Sequence, residues 1–123
     1  MTLKQTRLVT TDVARLTRFY ESVSQAKATV LSGGYAQFES EPCEGLAIID
    51  EVSIRSYGEG VAEPGVNRSV ILDFEVADVD AEYDRLQESV SDWVLPPTVQ
   101  PWGARAMLFR DPDGNLVNVF SRP

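Results

Sequence analysis

The chain has 123 residues, a 43% hydrophobic fraction and a formal net charge of −8, which fits one folded domain of ordinary composition. The excess of 19 acidic over 11 basic residues argues against a nucleic-acid partner and favours cationic ligands at long range. No apolar run approaches the ~20 residues that span a bilayer, and no signal-peptide block follows the start. We therefore expect a cytoplasmic protein without membrane contact.

The chain contains no histidine and only one cysteine, Cys43. A single cysteine cannot form an internal disulfide, which fits a reducing compartment, and no histidine is present to activate it as a nucleophile. The same absence excludes a Ser-His catalytic pair. Any metal ion would depend on carboxylates, amides and water, a ligand set that suits magnesium, calcium or manganese better than zinc.

The first half of the sequence predicts a strand, a helix and three short strands. Residues 4–10 form the first strand, and Asp12 is a helix-capping residue. Apolar residues then recur at helical spacing at Val13, Leu16, Phe19, Tyr20 and Val23. The three following strands are predicted at residues 28–31, 35–39 and 46–50, with glycine and proline turns between them.

Residues 53–68 are rich in glycine, glutamate and serine and predict a linker, with a strand continuation near 52–55. The pattern then begins again with a strand at 69–76 and a helix capped by Asp78, whose apolar face is Val79, Tyr83, Leu86 and Val90. Residues 93–99 predict an edge strand, because the prolines at 96 and 97 cannot donate to a ladder. Strands at 104–110 and 116–121 close the chain as a hairpin.

The two halves of the chain form an internal repeat. An offset of 66 places Leu8 on Phe74 and Asp12 on Asp78, and an offset of 70 places residues 46–49 on residues 116–119. The sequence therefore predicts two similar modules, about 1–55 and about 69–123, joined by a linker at about 56–68.

Two stretches carry a resemblance to a known family. Residues 5–12, Gln-Thr-Arg-Leu-Val-Thr-Thr-Asp, run into Phe19 and Tyr20, and residues 109–117 read Phe-Arg-Asp-Pro-Asp-Gly-Asn-Leu-Val. With the repeat, they resemble the paired βαβββ modules of the vicinal oxygen chelate superfamily, which includes glyoxalase I, extradiol dioxygenases, and fosfomycin- and bleomycin-resistance proteins. The resemblance spans essentially the whole chain and implies a single α+β domain whose modules form a curved mixed sheet with a concave cleft.

Members of this family usually hold a divalent metal with one ligand from the first and last strand of each module. The resemblance places these positions at Gln5, Ile71, Asn118 and, depending on a one-residue register choice, on or beside Ile48. Glutamine is an accepted ligand in some glyoxalases, but isoleucine has no donor atom. A metal site would therefore need carboxylate ligands from Asp73, Glu75, Glu39 or Asp50.

The family fold also implies which side chains line the cleft. Strand alternation selects a set of ligand-binding candidates: Gln5, Arg7, Ile48, Ile71, Asp73, Asn118 and Phe120. Trp102 is expected at the mouth, where it could stack on a planar or cationic ligand, and Tyr35, Trp93 and Tyr57 are further candidates. The alternatives are that the isoleucines fill the interior and that Trp102 covers the core.

The resemblance and the substituted metal positions predict a metal-independent small-molecule-binding protein without a cofactor, similar to the bleomycin-resistance group. That group holds cationic drugs in grooves between two subunits, so a homodimer and an aromatic or cationic ligand are expected. A different class, a metal-dependent lyase, isomerase or dioxygenase, would require non-standard ligands around Gln5. The third alternative is a structural or regulatory dimer with a closed groove.

Overall fold

The computed structural model describes residues 1–123 and shows an α+β protein with eight strands and three helices. The chain divides into two compact units, Met1–Val66 and Asn67–Pro123, each with its own four-stranded mixed sheet. The predicted order of one strand, one helix and three strands occurs in both units and is confirmed. No helix combines the length and the apolar character needed to cross a membrane.

The first unit has a mixed sheet whose one parallel pair includes an edge strand. Its elements are β1 (Thr6–Thr10), α1 (Val13–Ser24), β2 (Thr29–Ser32), β3 (Tyr35–Gln37) and β4 (Leu46–Asp50). The strand order is β1-β4-β3-β2, with β1 parallel to β4 and the other pairs antiparallel. Asp12 caps α1 as predicted, because its carboxylate accepts a hydrogen bond from the backbone N–H of Arg15 over 3.0 Å.

The second unit repeats this arrangement. Its elements are β5 (Ile71–Glu75), α3 (Val79–Arg85), β6 (Asp92–Val99), β7 (Arg105–Arg110) and β8 (Leu116–Ser121). The strand order is β5-β8-β7-β6, and Asp78 caps α3 as predicted. β6 lies at the edge, and its pairing with β7 shifts register on both sides of Leu95, the second shift spanning Pro96 and Pro97.

The hairpin between β7 and β8 closes through Asp111. Its carboxylate accepts hydrogen bonds from the backbone N–H groups of Asp113 and Asn115 and from the Asn115 side-chain amide, all between 2.8 and 2.9 Å. Gly114 adopts a φ of 88°, a left-handed conformation that glycine tolerates without strain. The predicted turn chemistry is therefore present.

The segment after β4 differs from the prediction. In place of the predicted strand continuation near 52–55, the chain forms a short helix α2 (Glu51–Ile54) followed by a 3₁₀ turn over Arg55–Tyr57. Residues 58–70 then contain no helix or strand. Asp50 starts this helix, because its side chain accepts the Ser53 N–H over 2.7 Å, and Ile54 is buried beneath it. The glycine- and serine-rich composition predicted no helix here, although Asp50 caps α2 and Ile54 is buried.

Each core lies between a helix and one face of its sheet. In the first unit, α1 buries Leu16, Phe19 and Tyr20, and the helix-facing sheet positions are Leu8, Thr10, Ala36, Phe38 and Ile48. In the second unit, Val79 of α3 and the following Leu86 and Val90 are buried, as are Met107, Phe109, Val117 and Val119. Full burial of such side chains contributes about 1.5–3 kcal/mol each. In each unit the helix covers only one face of the sheet, which leaves the opposite face for other contacts.

Candidate functional site

The sheet face of the first unit that lies opposite α1 carries polar side chains from the β1 and β3 positions. Gln5, just before β1, and Arg7 within it share this face with Tyr35 and Gln37 of β3, because side chains alternate along each strand. The Gln5 amide Nε2 donates to the Tyr35 hydroxyl over 3.2 Å. On this face, side chains link β1 and β3, the two strands that flank β4, which are not paired with each other through their backbones.

A directed chain of hydrogen bonds continues from Tyr35. The Tyr35 hydroxyl lies 2.9 Å from Gln37 Oε1 and 3.4 Å from Gln5 Oε1. Because it has only one proton, it donates its hydrogen bond to the nearer oxygen, that of Gln37. Gln37 Nε2 then donates to Glu39 over 2.7 Å, and Thr29 donates to the other Glu39 oxygen over 3.2 Å. The Gln5 side-chain oxygen is left as a free acceptor on an exposed residue.

Arg7 is held by Tyr57 of the 3₁₀ turn. Both terminal nitrogens of Arg7 lie 3.3 Å from the Tyr57 hydroxyl, and the guanidinium carbon lies 5.5 Å from the ring centroid. This is a cation–π contact at the usual range. Arg7 pairs with no carboxylate. The contact depends on the α2 segment folding back onto β1, so a linker interpretation of that segment could not predict it.

Ile48 does not lie on this face, and the prediction that it does is wrong. It is the direct partner of Leu8 in the parallel ladder and of Ala36 in the antiparallel one, so it points with them to the α1 side. Its exposed fraction is 0%. Ala47 takes the position beside Arg7 instead. A strand with four apolar residues in a row, Leu46–Ile49, contains no alternation from which its faces could be assigned.

The sheet face of the second unit that lies opposite α3 carries Ile71, Asp73 and Asn118. Asp73 and Asn118 are direct partners in the parallel β5–β8 ladder, and the Asn118 amide donates to Asp73 Oδ1 over 2.9 Å. The Asn118 Oδ1 atom is buried and has no hydrogen-bond partner. Ile71 is 52% exposed, and Phe120 is half-buried on the same face. The structure therefore brings these four predicted residues together in one unit.

Glu75 shares this face and is engaged by a residue that the sequence did not single out. Arg122, two residues beyond Phe120, donates through Nε and Nη2 to the two Glu75 oxygens over 2.9 and 3.0 Å. This bidentate geometry satisfies both carboxylate oxygens. The only sequence signal was the alternation Asn118, Phe120, Arg122, which places the three side chains on one side of the extended chain.

The two tryptophans have opposite environments. Trp102 lies in the turn between β6 and β7 and is 73% exposed. Trp93 packs edge-on between Tyr83 and Phe109, with ring centroids 4.7 and 5.3 Å away. Trp93 therefore belongs to the packing beneath α3, and its inclusion among the exposed ligand-facing candidates is wrong. Trp102 is free to contact another molecule.

The residues at the family's metal positions do not fit a divalent ion. In the first unit these positions hold Gln5 and, because Ile48 points toward α1, the neighbouring Ala47, which has no donor atom. In the second unit they hold Ile71, without a donor atom, and Asn118, whose oxygen is buried. No group of three or more Cys, Asp or Glu side chains is arranged to hold a metal. A divalent cation needs charged or strongly dipolar oxygens, and one neutral amide does not supply them.

The four carboxylates that could have rescued a metal site already have other partners. Asp73 accepts from Asn118, Glu75 pairs with Arg122, Glu39 accepts from Gln37 and Thr29, and Asp50 caps α2. Recruiting any of them to a cation would break a hydrogen bond that now satisfies a donor.

The first unit also contains one buried thiol and one open cleft. Cys43 is buried, and burial raises the pKa of its thiol to about 11, so it is protonated and unreactive near neutral pH. An open cleft of about 340 Å³ lies against α2, lined by Glu51, Ile54, Arg55, Glu59, Glu63 and neighbouring residues. Its three glutamates are not arranged as a metal-binding group.

Comparison with known proteins agrees with this architecture. Residues 2–119 match the model of the Glyoxalase/Bleomycin resistance protein/Dioxygenase superfamily. The chain is 30% identical to the uncharacterized protein YraH of Bacillus subtilis (strain 168) over 125 residues, covering 98% of both chains.

Solved structures show the same fold. A glyoxalase/bleomycin resistance protein/dioxygenase from Nocardioides is 30% identical, with a TM-score of 0.79 over 99% of this chain and 83% of the other. A protein of unknown function from Agrobacterium tumefaciens str. C58 is 27% identical, with a TM-score of 0.82 over 100% and 95% of the two chains. The family match and the shared fold lead to one conclusion: the chain belongs to the glyoxalase/bleomycin resistance protein/dioxygenase superfamily.

Proposed function

We propose that the protein binds a small organic molecule without a metal ion and holds it rather than transforming it. The observation that carries the proposal is the state of the family's metal positions. In each unit one of the two positions is aliphatic, and the remaining ones, Gln5 and Asn118, are neutral amides. The residues that would activate a substrate through a metal are replaced, while the surrounding faces keep polar anchors.

The character of the two sheet faces supports binding. The first unit offers Gln5 and Arg7 beside the Tyr57 ring, and the second offers Asp73 and Asn118 between the apolar side chains of Ile71 and Phe120. Apolar surface with a few fixed polar groups is the usual composition of a small-molecule site. The exposed indole of Trp102 adds a surface on which a planar or cationic ligand can stack.

The proposal includes a homodimer in the cytoplasm, with drug sequestration as one biological outcome and retention of a metabolite as another. Support for self-association comes from the edge strands. β2 is an edge with Val30 and Leu31 66% and 59% exposed, and β6 is an edge next to the exposed Trp102. Exposed apolar edge strands favour pairing with another chain. Sedimentation velocity on the untagged protein measures this directly, and a monomer at micromolar concentration contradicts it.

The test of metal independence is elemental analysis of protein purified without a histidine tag, followed by titration with Mn²⁺, Ni²⁺ and Zn²⁺. We expect no stoichiometric metal and no rise in unfolding temperature at micromolar ion concentrations. The rival, a metal-dependent lyase, isomerase or dioxygenase, is favoured by one observation: the Gln5 oxygen remains a free acceptor. Tight binding of one equivalent of metal that is lost in Gln5→Ala would establish the rival.

Binding itself is tested by thermal shift against planar aromatic compounds of different charge, with Trp102→Ala as the companion variant. We expect at least one class to stabilise the fold and the variant to weaken that effect. If no compound shifts the unfolding temperature of either protein, a structural or regulatory dimer becomes the better description.

A further inference from the structure

Arg7 is a cation held by an aromatic side chain rather than by an acid. It lies exposed on the same sheet face of the first unit as Gln5 and, like most of the basic residues of the chain, forms no ion pair with a carboxylate. Its partner is Tyr57, a neutral phenol that accepts from both terminal nitrogens at the long distance of 3.3 Å. These are weak contacts for a charged donor, since hydrogen bonds between charged groups are usually shorter than 3 Å.

None of the acidic groups of the same unit forms an ion pair with Arg7. Glu39 is occupied at both oxygens by Gln37 and Thr29, and Asp50 is held by the backbone N–H of Ser53. The neighbour of Arg7 along its own face, Gln5, is a neutral amide. The guanidinium has five N–H donors, of which Tyr57 takes two, so three remain available to a ligand.

Two arginines of the second unit show what this side chain binds when an acid is present. Arg105 contacts both oxygens of Asp80 over 2.8 Å each, and Arg122 contacts both oxygens of Glu75. In both cases the planar fork of the guanidinium matches the two oxygens of a carboxylate. Arg7 presents the same fork with no such group bound.

Tyr57 also restricts where the fork can lie. The ring contact at 5.5 Å and the two hydroxyl contacts hold the end of a side chain that would otherwise be free to rotate. Because the rotational freedom is already reduced, a ligand that uses Arg7 loses less entropy on binding. Tyr57 is therefore a positioning residue for Arg7.

We propose that the ligand of this protein carries an anionic oxygen group, a carboxylate or a phosphate, which Arg7 binds with Tyr57 holding the guanidinium in place. The inference rests on the proposed binding function and specifies an anionic ligand in place of the cationic one that the net charge alone favours. The net charge of −8 repels polyanions at long range, but screening limits that repulsion to about 8 Å at physiological salt. A single carboxylate next to an apolar or aromatic body is the expected chemistry.

Three planar probes of nearly the same shape separate charge from stacking: benzoate, benzamide and benzamidine, with charges of −1, 0 and +1. Phenyl phosphate is the fourth probe and distinguishes a phosphate from a carboxylate ligand. Binding is followed by two-dimensional ¹H–¹⁵N NMR titration of the full chain, which reports both the affinity and the residues affected. We expect benzoate or phenyl phosphate to bind more tightly than benzamide and to shift the amides of β1 and of residues 55–57.

Four variants assign the effect. Arg7→Gln should weaken the anionic probe about ten-fold or more, since it removes a charge-assisted pair. Arg7→Lys keeps the charge but loses the planar fork, so its affinity for the anionic probe should lie between those of the wild type and Arg7→Gln. Tyr57→Phe should lower the preference for benzoate over benzamide without changing the affinity for benzamide. Arg18→Gln is the matched control, because it removes the same charge from an exposed position on α1. It should leave all affinities unchanged.

The outcomes separate this inference from the proposed function. If benzamidine or benzamide binds best and Arg7→Gln has no effect, the binding function stands and the anionic ligand class is overturned. Equal losses in Arg7→Gln and Arg18→Gln also overturn it, because they show only a general charge effect. If none of the probes binds any of these proteins at tens of millimolar concentration, both the inference and the binding function lose their support.

Discussion

Asn118 donates a hydrogen bond to Asp73 Oδ1 over 2.9 Å across the parallel ladder of β5 and β8. The orientation of the amide follows from the neighbour, because turning its oxygen toward the carboxylate would face two acceptors toward each other. The cost is a buried Asn118 oxygen without a donor. At the family's metal position, this chain therefore has an amide committed to a neighbouring acid.

We predict that Asn118→Asp destabilises the protein at pH 7 by about 1–2 kcal/mol, because two adjacent carboxylates repel each other and raise a carboxyl pKa. A raised folded-state pKa means that the folded state binds the proton more tightly than the unfolded state does. The free energy of unfolding should therefore recover as the pH falls from 7 toward 5. Urea unfolding across that range measures it. Asn118→Leu, which introduces no charge, is the control, and identical pH profiles for the two variants would contradict the explanation.

We predict that replacing each of the two tryptophans by alanine changes the free energy of unfolding by very different amounts. Trp93→Ala removes an indole packed between Tyr83 and Phe109 and should cost about 3 kcal/mol of unfolding free energy, whereas Trp102→Ala should stay within about 0.5 kcal/mol. Thermal or urea unfolding of the pair provides the measurement.

Fluorescence gives an independent check of the same assignment. Acrylamide should strongly quench the emission of Trp93→Phe, in which only Trp102 remains, and should quench Trp102→Phe weakly. Equal quenching in the two single-tryptophan proteins would show that the difference in exposure is absent in solution.

Cys43 should make stability depend on pH in the alkaline range. Burial raises the pKa of its thiol from 9.0 to about 11, so the folded state retains a proton that the unfolded state releases. The resulting stabilisation is complete below pH 9 and is lost between pH 9 and 11, with a size of about 2–3 kcal/mol. Subtracting the profile of Cys43→Ala isolates this contribution from other alkaline titrations. A thiol that reacts with an aromatic disulfide reagent at neutral pH as quickly as in denaturant would rule out the buried, protonated state.

Arg105 links the start of β7 to the first turn of α3 through Asp80. The hydrogen bonds from Arg105 lower the pKa of the Asp80 carboxyl, although both groups are solvent-exposed. We expect the Asp80 pKa, measured by NMR titration, to rise in Arg105→Gln and also in the wild type at 1 M salt, because screening weakens exposed ion pairs. The folded-state pKa is lowered, so this contribution to stability is present above the ordinary aspartate pKa and disappears as the pH falls through the lowered value. A pKa that does not respond to the variant would mean that the pair does not persist in solution.

Local chemistry explains which parts of the fold could be predicted from the sequence. The caps at Asp12 and Asp78 and the turn at Asp111 depend on hydrogen bonds between residues two to four positions apart, so their signals lie within a short window of sequence. The repeat of strand and helix order is likewise visible as spacing. These features identified the α+β fold and the family.

The candidate site was only partly predictable because it depends on pairing between distant residues. Alternation placed Asp73 and Asn118 on one face, since polar and apolar residues alternate along β5. β4 has no such alternation, and only its register against β1 directs Ile48 toward the helix. The Arg7–Tyr57 contact joins residues 50 positions apart, and the Glu75–Arg122 pair joins residues 47 positions apart. No sequence window contains either pair.

The sequence by itself determined the order of strands and of the helices α1 and α3, the starts of those two helices and the hairpin turn, because each is a property of residue type or of near neighbours. The tertiary structure decided which face each apolar strand presents, which of the two tryptophans packs against other aromatic rings and which acids already have partners. These are long-range outcomes, set by strand register and by the return of α2 to the sheet. Hence Gln5 and Asn118 could be selected as candidate site residues from the sequence, whereas the hydrogen bond from the Asn118 amide to Asp73 and the contact of the Arg7 guanidinium with Tyr57 required the fold.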